Sequence, residues 1–167
     1  MLLETGIPTK EDLAAITPPE ERYAKGPVVM VECFQEIPCN PCVDACKFNA
    51  ITKPRGINDL PQVDFDKCNG CGICISQCPG LAIFVIDKTY SDTHALLRLP
   101  YEFIPVPEKG QLACGLDRAG AERGFFEVVR VTSGGPKNKT TIIWLAVPKE
   151  LSMEVRSIKA GGFKSSE

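Results

Sequence analysis

The sequence predicts an α+β protein in two parts: a duplicated cysteine-rich unit with a pseudo-twofold repeat, and a small β-rich domain of barrel or sandwich type. Four cysteines at 33–46 and four at 68–78 have similar surroundings, and "ACKFNAI" aligns with "QCPGLAI" without a gap. Such a duplication indicates two quasi-equivalent halves that share one core. Further along the chain, two strong β runs at 125–133 and 139–147 flank the turn-forming sequence "GGPKN" and predict a hairpin.

Residues 1–27 form a predicted N-terminal arm of short helical turns separated by prolines. Thr9 is a predicted N-cap, with Asp12 three residues later. Thr17 is a second predicted N-cap, followed by Pro18 at the first helical position. Neither segment is long enough to be stable alone. The arm therefore either packs on its own domain or docks on a partner subunit, and the sequence leaves both alternatives open.

The cysteine-rich unit covers residues 28–90. Its predicted strands are "PVVMVE" at 27–32, "QVDFD" at 62–66 and "LAIFVID" at 81–87, which lead into or out of the cysteine runs. Each half thus contains a strand, a cysteine run, a short helix and then "NAI" or "LAI".

The predicted β-rich domain covers residues 96–160. Its first part, "RLPYEFIPVPEKG" at 98–110, contains three prolines and is typical of an extended segment at a sheet edge. The hairpin at 125–147 follows, and "MEVRSI" at 153–158 is a further predicted strand. Residues 161–167 form a predicted frayed C-terminus.

Composition excludes several classes of protein. The 167 residues are 44% hydrophobic and 24% charged with a net charge of −2, which suits a soluble globular protein and gives no basic surface for nucleic acid. The longest apolar runs fall far short of the roughly 20 residues that span a bilayer. The N-terminus lacks the basic region of a signal peptide, so we expect a cytoplasmic protein.

Nine cysteines in a chain without an export signal point to metal binding or redox chemistry, because disulfides are rare in reducing compartments. The second run is C-x2-C-x2-C-x3-C-P, and the first is C-x5-C-x2-C-x3-C followed by Lys47. Zinc also binds C-x2-C pairs, but its motifs place a long spacer between two such pairs. The spacing favours iron–sulfur clusters, whose irons take thiolate ligands. The candidate metal and cofactor ligands are Cys33, Cys39, Cys42, Cys46, Cys68, Cys71, Cys74 and Cys78.

At residues 28–88 the chain resembles the bacterial two-[4Fe–4S] ferredoxin family. The resemblance implies a ferredoxin-like dicluster domain that transfers one electron per cluster. In that family the fourth cysteine of each run serves the cluster of the other run. It therefore implies two [4Fe–4S] clusters, one on Cys33, Cys39, Cys42 and Cys78 (the first set) and one on Cys46, Cys68, Cys71 and Cys74 (the second set). The x5 loop at 34–38 and Lys47 depart from the family pattern.

The combination of "KGPVVMVECFQEIPCNPC" with a β-rich tail is similar to the ferredoxin-type subunits of flavin-dependent amino-acid dehydrogenases of the proline, hydroxyproline and sarcosine-oxidase type. This resemblance implies a hetero-oligomer in which the chain relays electrons between the flavin of a partner oxidoreductase and another carrier. A free-standing ferredoxin is the alternative, and a structural or redox-sensing iron–sulfur module is a third. The length and near-neutral charge favour a fixed interface, because a free carrier needs only about 60 residues and an acidic surface.

No catalytic residue is predicted. The sequence contains neither a dinucleotide-binding G-x-G-x-x-G after a strand nor a phosphate-binding loop. The single histidine, His94, has no cysteine or serine constellation beside it in the sequence and is assigned to a loop or the surface. Cys114, in "LACGLD", is assigned to the core as a small buried residue.

Overall fold

The computed structural model describes residues 2–166 and is α+β, with few helices and a mostly antiparallel sheet. Met1 and Glu167, at the ends of the predicted arm and the predicted frayed terminus, lie outside the described residues. The helices are α1 (Leu2–Thr5), α2 (Lys10–Ala14), α3 (Glu20–Tyr23), α4 (Pro41–Ala45), α5 (Ile73–Gln77) and a 3-10 turn at Lys149–Leu151. The strands are β1 (Val28–Val31), β2 (Ile51–Thr52), β3 (Gln62–Val63), β4 (Ile83–Asp87), β5 (His94–Tyr101), β6 (Gln111–Leu116), β7 (Glu122–Gly135), β8 (Asn138–Pro148), β9 (Ser157–Ile158) and β10 (Lys164–Ser165).

Eight of these strands form one sheet in the order β1-β4-β5-β8-β7-β6-β10, with β9 pairing to β6. Strands β2 and β3 pair separately. The C-terminal strands therefore continue the sheet that β1 and β4 begin. The short connection at 88–93 explains this arrangement, because it brings β5 back antiparallel beside β4.

The strands β1 and β4 contribute to two cores, one on each face of the sheet. Val28 and Met30 of β1 pack into a core built with β5, β6, β7 and β8. Val29 and Val31 point to the opposite face and pack with the cysteine-bearing segments. This alternation follows from the two-residue period of a strand. The sheet thus has the C-terminal core on one face and the cysteine-rich unit on the other.

An ion cluster joins residues that follow β1 and β6, two strands near opposite edges of the sheet. Glu32, directly after β1, accepts hydrogen bonds from Arg118 at 2.6 and 2.8 Å and from Arg156 at 2.6 Å. Arg118 follows β6, which lies at the far side of the sheet from β1. The sheet must therefore roll up for these side chains to meet.

Several predicted elements are confirmed. The β7–β8 hairpin is present and turns at Pro136 and Lys137, between the paired residues Gly135 and Asn138. Thr9 caps α2 in a full capping box with Asp12.

Other predictions are wrong in detail. The segment 98–101 belongs to β5; Arg98 pairs with both β4 and β8, whereas 99–101 pair with β8 alone, so the predicted edge character applies only to the end of this strand. Helix α3 begins after Pro19, and Thr17 donates its hydroxyl back to the Leu13 carbonyl at 2.7 Å. The predicted strand at 153–158 is reduced to its last two residues. At the C-terminus, β10 pairs with β6, so part of the segment expected to be frayed is held in the sheet.

No helix in the described part of the chain is long and apolar enough to cross a membrane.

Candidate iron–sulfur site

The two cysteine runs have matching backbone conformations. Helices α4 and α5 both span five residues and end at Cys46 and Cys78, whose backbones are extended with φ near −80°. Three residues further on, Asn49 and Leu81 have positive φ values of 51° and 52°. Because the same unusual turn occurs twice at the same place, the sequence repeat is also a structural repeat. The helices pack against each other, β1 pairs with β4, and β2 pairs with β3.

The repeat directs backbone N–H groups at cysteine sulfur atoms. The N–H of Ala50 donates to Cys46 Sγ at 3.3 Å, and the N–H of Ala82 donates to Cys78 Sγ at 3.4 Å. A third bond, from Gly70, reaches Cys68 Sγ at 3.4 Å. Donors of this kind stabilise the thiolate form, which is the form that binds metal.

The thiols of the second set lie close enough to influence one another. Burial, together with the neighbouring thiols of Cys71, Cys68 and Cys46, raises the pKa of Cys74 to about 12. The chain therefore brings Cys46, from the first run, to the three cysteines of the second run. These are the four members of the second set.

The first set is brought together in the same way. Burial and the nearby Cys78 thiol raise the pKa of Cys42, with Cys39 acting in the same direction and Lys53 opposing them. Cys33 lies with Cys39 and Cys78 along one cavity of about 400 Å³. Cys78, from the second run, is thus placed among the cysteines of the first run.

The donor set fits iron–sulfur clusters. Buried thiolates that repel one another need compensating positive charge, and iron supplies it together with the soft-sulfur chemistry that thiolates prefer. Among the described residues, no three side chains of His, Cys, Asp or Glu lie close enough to share a single metal ion. A cube of four irons takes one thiolate at each iron, so its ligands stand further apart than those of one ion.

The conformation of the second loop requires Gly70. This residue has φ of +68°, and a Cβ atom added there would lie 2.5 Å from the backbone carbon and oxygen of Pro27. The positive φ is unfavourable for any residue with a side chain, and the contact with Pro27 leaves no space for one. Gly72, with φ of +80°, precedes α5 as its N-cap residue.

Arg22 holds this loop from the N-terminal arm. The residue is buried, and its guanidinium donates to the carbonyls of Cys68 at 2.6 Å and Phe65 at 2.7 Å. It also donates to Pro27 and Gly26 at 2.9 and 3.1 Å. The arm is therefore packed on its own chain in this region and supports the start of the second cysteine run.

Arg98 holds the same loop from β5. Its Nη1 donates to the carbonyl of Gly70 at 2.7 Å and to that of Cys71 at 3.2 Å. The guanidinium carbon lies 4.0 Å from the ring centroid of Trp144, a cation–π contact that fixes its position. In the first run, the corresponding cation is Lys53, whose ammonium donates to the carbonyls of Cys39 and Ile57. Sequence motifs gave no signal for these three residues, because each reaches a cysteine loop only through the fold.

Some of the apolar residues near the cysteine runs surround the cysteines, and others do not. Ile51, Ile75 and Ile83 are buried with the cysteines, and Val63 packs against them. Phe65 packs on the opposite core. Phe48 and Ile73 are exposed, because each occupies the outer side of its short turn or helix.

The remaining candidates lie as the sequence suggested. Cys114 is buried in β6 and does not belong to the apolar cluster that contains cysteines of both runs. His94 is exposed at the start of β5, where Nδ1 lies 2.8 Å from the Thr93 hydroxyl. Cys71 is exposed, unlike the other eight cysteines, which are buried or partly buried.

Comparison with known proteins identifies the chemistry of the second run. Residues 61–84 match the 4Fe-4S binding domain family. The chain is 40% identical over 63 residues to the ferredoxin-type protein NapF of Haemophilus influenzae. The matched region covers 35% of this chain and 36% of that protein. It is 36% identical over 52 residues to NapF of Escherichia coli, covering 30% of this chain and 32% of that protein.

A third similar protein is the pyruvate synthase subunit PorD of Methanothermobacter marburgensis, 38% identical over 47 residues. That match covers 28% of this chain and 51% of PorD. The chain thus spans about a third of the two NapF proteins and about half of PorD. No solved structure matches the chain significantly. Together the matches support an iron–sulfur protein of the bacterial ferredoxin type.

Proposed function

We propose that this chain is the electron-transfer subunit of a flavin-dependent oxidoreductase of the amino-acid dehydrogenase type. It holds two [4Fe–4S] clusters and relays single electrons between the flavin of its partner and another carrier. The observation that supports this most directly is that each run has a cysteine beside the other run: Cys46 lies near Cys74, and Cys78 lies near Cys42.

The chain's own residues would bind and shield the two clusters. The first set would hold one and the second set the other, each supplying four thiolates. A bound [4Fe–4S] cluster takes up and releases one electron. Ile51, Ile75 and Ile83 exclude water from the space between the helices and the sheet. The N–H groups of Ala50, Gly70 and Ala82 stabilise negative charge on sulfur.

Exposed apolar side chains near the first run favour a fixed partner over a free-standing carrier. Leu3 is 92% exposed and Ile57 52% exposed, and Ile37 and Phe48 are also exposed. Leu3 and Ile37 line the same cavity as Cys33. Apolar surface beside a redox centre is typical of a protein interface. We therefore infer that the flavin subunit docks beside the first set. A role as a subunit also agrees with the similarity to PorD, which is a pyruvate synthase subunit.

Cluster binding is tested by anaerobic reconstitution of the full chain with iron and sulfide. We expect about eight irons and eight sulfides per chain, with a broad visible absorbance that dithionite bleaches. Stoichiometric zinc in the natively purified protein, without iron, would refute the proposal. The Cys33→Ser variant should perturb one cluster and leave the other intact, whereas the Cys114→Ser control should retain both.

The partner is tested by native anaerobic purification. We expect a stable complex with a flavin-containing chain, and reduction of the cluster absorbance when the substrate of that chain is added. A solitary chain that exchanges electrons freely would instead favour the free-standing ferredoxin. A matched pair of variants, Leu3→Glu and Lys10→Gln, makes the net charge more negative by the same amount and so separates loss of the apolar contact from the change in charge.

A further inference from the structure

The two cysteine sets differ in the cations that bind their loops. Two guanidinium groups, Arg22 and Arg98, donate to the carbonyls of Cys68, Gly70 and Cys71. In the first run, Lys53 binds the Cys39 carbonyl, and the described residues show no second cation hydrogen-bonded to the carbonyl of a ligand there.

The sulfur hydrogen bonds show the same asymmetry. Two backbone N–H groups donate to sulfur atoms of the second set, at Cys46 and Cys68. One donates to the first set, at Cys78. Hydrogen bonds to sulfur and nearby positive charge both stabilise the reduced cluster, which has one more negative charge, and so raise its reduction potential.

Neighbouring charges reduce this difference, but apart from Lys53 none of them hydrogen-bonds to the carbonyl of a first-set ligand among the described residues. Lys67 pairs with Asp64 and Lys25 with Asp66, so these exposed groups beside the second run are balanced. Asp87 lies near Arg98 and offsets part of its charge. Near Cys33, the single carboxylate of Glu32 is paired with two guanidinium groups, Arg118 and Arg156, which leaves one excess positive charge. Arg156 packs against Met30 and Phe84, on the face of the sheet opposite the cysteines.

We propose that Arg22 and Arg98 are positioning residues that give the cluster at the second set the higher reduction potential. Electrons that enter at the first set then collect at the second set and leave past the exposed Cys71. This inference rests on the proposed function, because it requires both clusters. It assigns a role to two residues that lie in the N-terminal arm and the C-terminal strands, outside the cysteine motifs themselves.

The test is an anaerobic redox titration of the full reconstituted chain, followed by electron paramagnetic resonance. In the wild type we expect two resolved midpoint potentials. Arg98→Gln should lower the higher one by about tenfold in the reduction equilibrium constant, or ~59 mV for one electron, and leave the lower one in place. Arg98→Lys, which keeps the charge, should shift it less than Arg98→Gln.

Two further variants complete the design. Lys53→Gln should lower the lower potential and widen the gap between the two. Arg130→Gln is the matched control: Arg130 is exposed and lies 5.3 Å from the centroid of the same Trp144 ring, so both potentials should stay unchanged. If Arg98→Gln fails to fold, as judged by circular dichroism, Arg22→Gln replaces it and should likewise lower the higher potential and leave the lower one in place.

The inference is overturned if the two wild-type potentials coincide, if Arg98→Gln moves the lower potential, or if Arg98→Lys shifts the higher potential as much as Arg98→Gln. A shift of the higher potential in Lys53→Gln would also overturn it. Any of these results leaves the proposed function standing, provided the wild type binds two clusters. A wild type without two clusters refutes the proposed function itself and is recognised by its iron content before any titration.

Discussion

The carboxylate of Glu32 and the guanidinium of Arg118 lie 2.6 Å apart, although the strands that they follow, β1 and β6, are separated by β4, β5, β8 and β7 in the sheet. At roughly 4.8 Å per strand, a flat sheet would hold β1 and β6 about 24 Å apart. Arg156 joins the same carboxylate from a third part of the chain. The rolled shape of the sheet and this ion cluster therefore depend on each other.

We expect Glu32→Gln to destabilise the fold by about 3–5 kcal/mol, because it leaves the buried Arg156 and the partly buried Arg118 without their counter-ion. The side chains of Glu32 and Arg156 are 8% and 4% exposed, so water cannot take its place. Anaerobic urea unfolding, followed by circular dichroism, measures the change. Glu122→Gln, which removes an exposed ion pair with Lys159, is the control and should leave the unfolding midpoint unchanged. Equal midpoints for the two variants would contradict the structural role of the cluster.

The raised pKa of Tyr23 predicts that the folded protein loses stability at alkaline pH. Burial raises its pKa from 10.0 to about 12, and the nearby Arg156 opposes this only in part. Between pH 10 and 12 the unfolded chain releases the tyrosine proton while the folded chain retains it, so the free energy of unfolding falls as pH rises through this window. In Tyr23→Phe this contribution should vanish. The measurement is urea unfolding at pH 9, 10 and 11, and parallel pH profiles for both proteins would contradict the prediction.

Gly70→Ala should prevent the second loop from closing. The added methyl group would overlap the backbone of Pro27, and the residue already has a φ that favours glycine. We expect reconstituted protein to lose about half of its iron and sulfide, that is, the cluster of the second set. Gly120→Ala is the matched control, because Gly120 has φ of +81° but open space around it. It should bind iron like the wild type, and a full complement of iron in Gly70→Ala would refute the argument.

Cys114→Ala should leave iron binding unchanged. The Cys114 thiol is buried in β6, and burial raises its pKa, which disfavours the thiolate that a metal needs. A small loss of stability, of about 1 kcal/mol, is expected from the lost sulfur contacts. Iron analysis after reconstitution measures the outcome, with Cys42→Ala as the comparison that should lose iron. A loss of iron in Cys114→Ala would add a ninth ligand candidate.

The local structure around the cysteines could be predicted from the sequence because it depends on short-range patterns. The alignment of "ACKFNAI" with "QCPGLAI" anticipates the matched turns at Asn49 and Leu81. The apolar runs at 27–32 and 81–87 likewise predict β1 and β4. The α2 capping box needs only Thr9 and Asp12, three residues apart.

The long-range contacts could not be predicted in the same way. Arg22 and Arg98 reach the second loop through partners 46 and 28 residues away, and no motif marks such pairs. The three prolines of 98–110 predict an edge segment, but they do not predict that 94–98 lies between β4 and β8; Pro100 follows this part and pairs with β8 alone, at Ile142. A proline is tolerated there where its missing N–H falls outside the ladder of hydrogen bonds.

Strands β1 and β4 contribute side chains to both cores, and this limits how the protein can be divided into fragments. Val28, Met30, Phe84 and Ile86 face a core that is built largely from residues after 94. A fragment that ends at residue 90 would therefore expose these apolar side chains to water, and it would also lack Arg98. The cysteine-rich segment and the C-terminal strands therefore form one folding unit, and neither can be exchanged without the other.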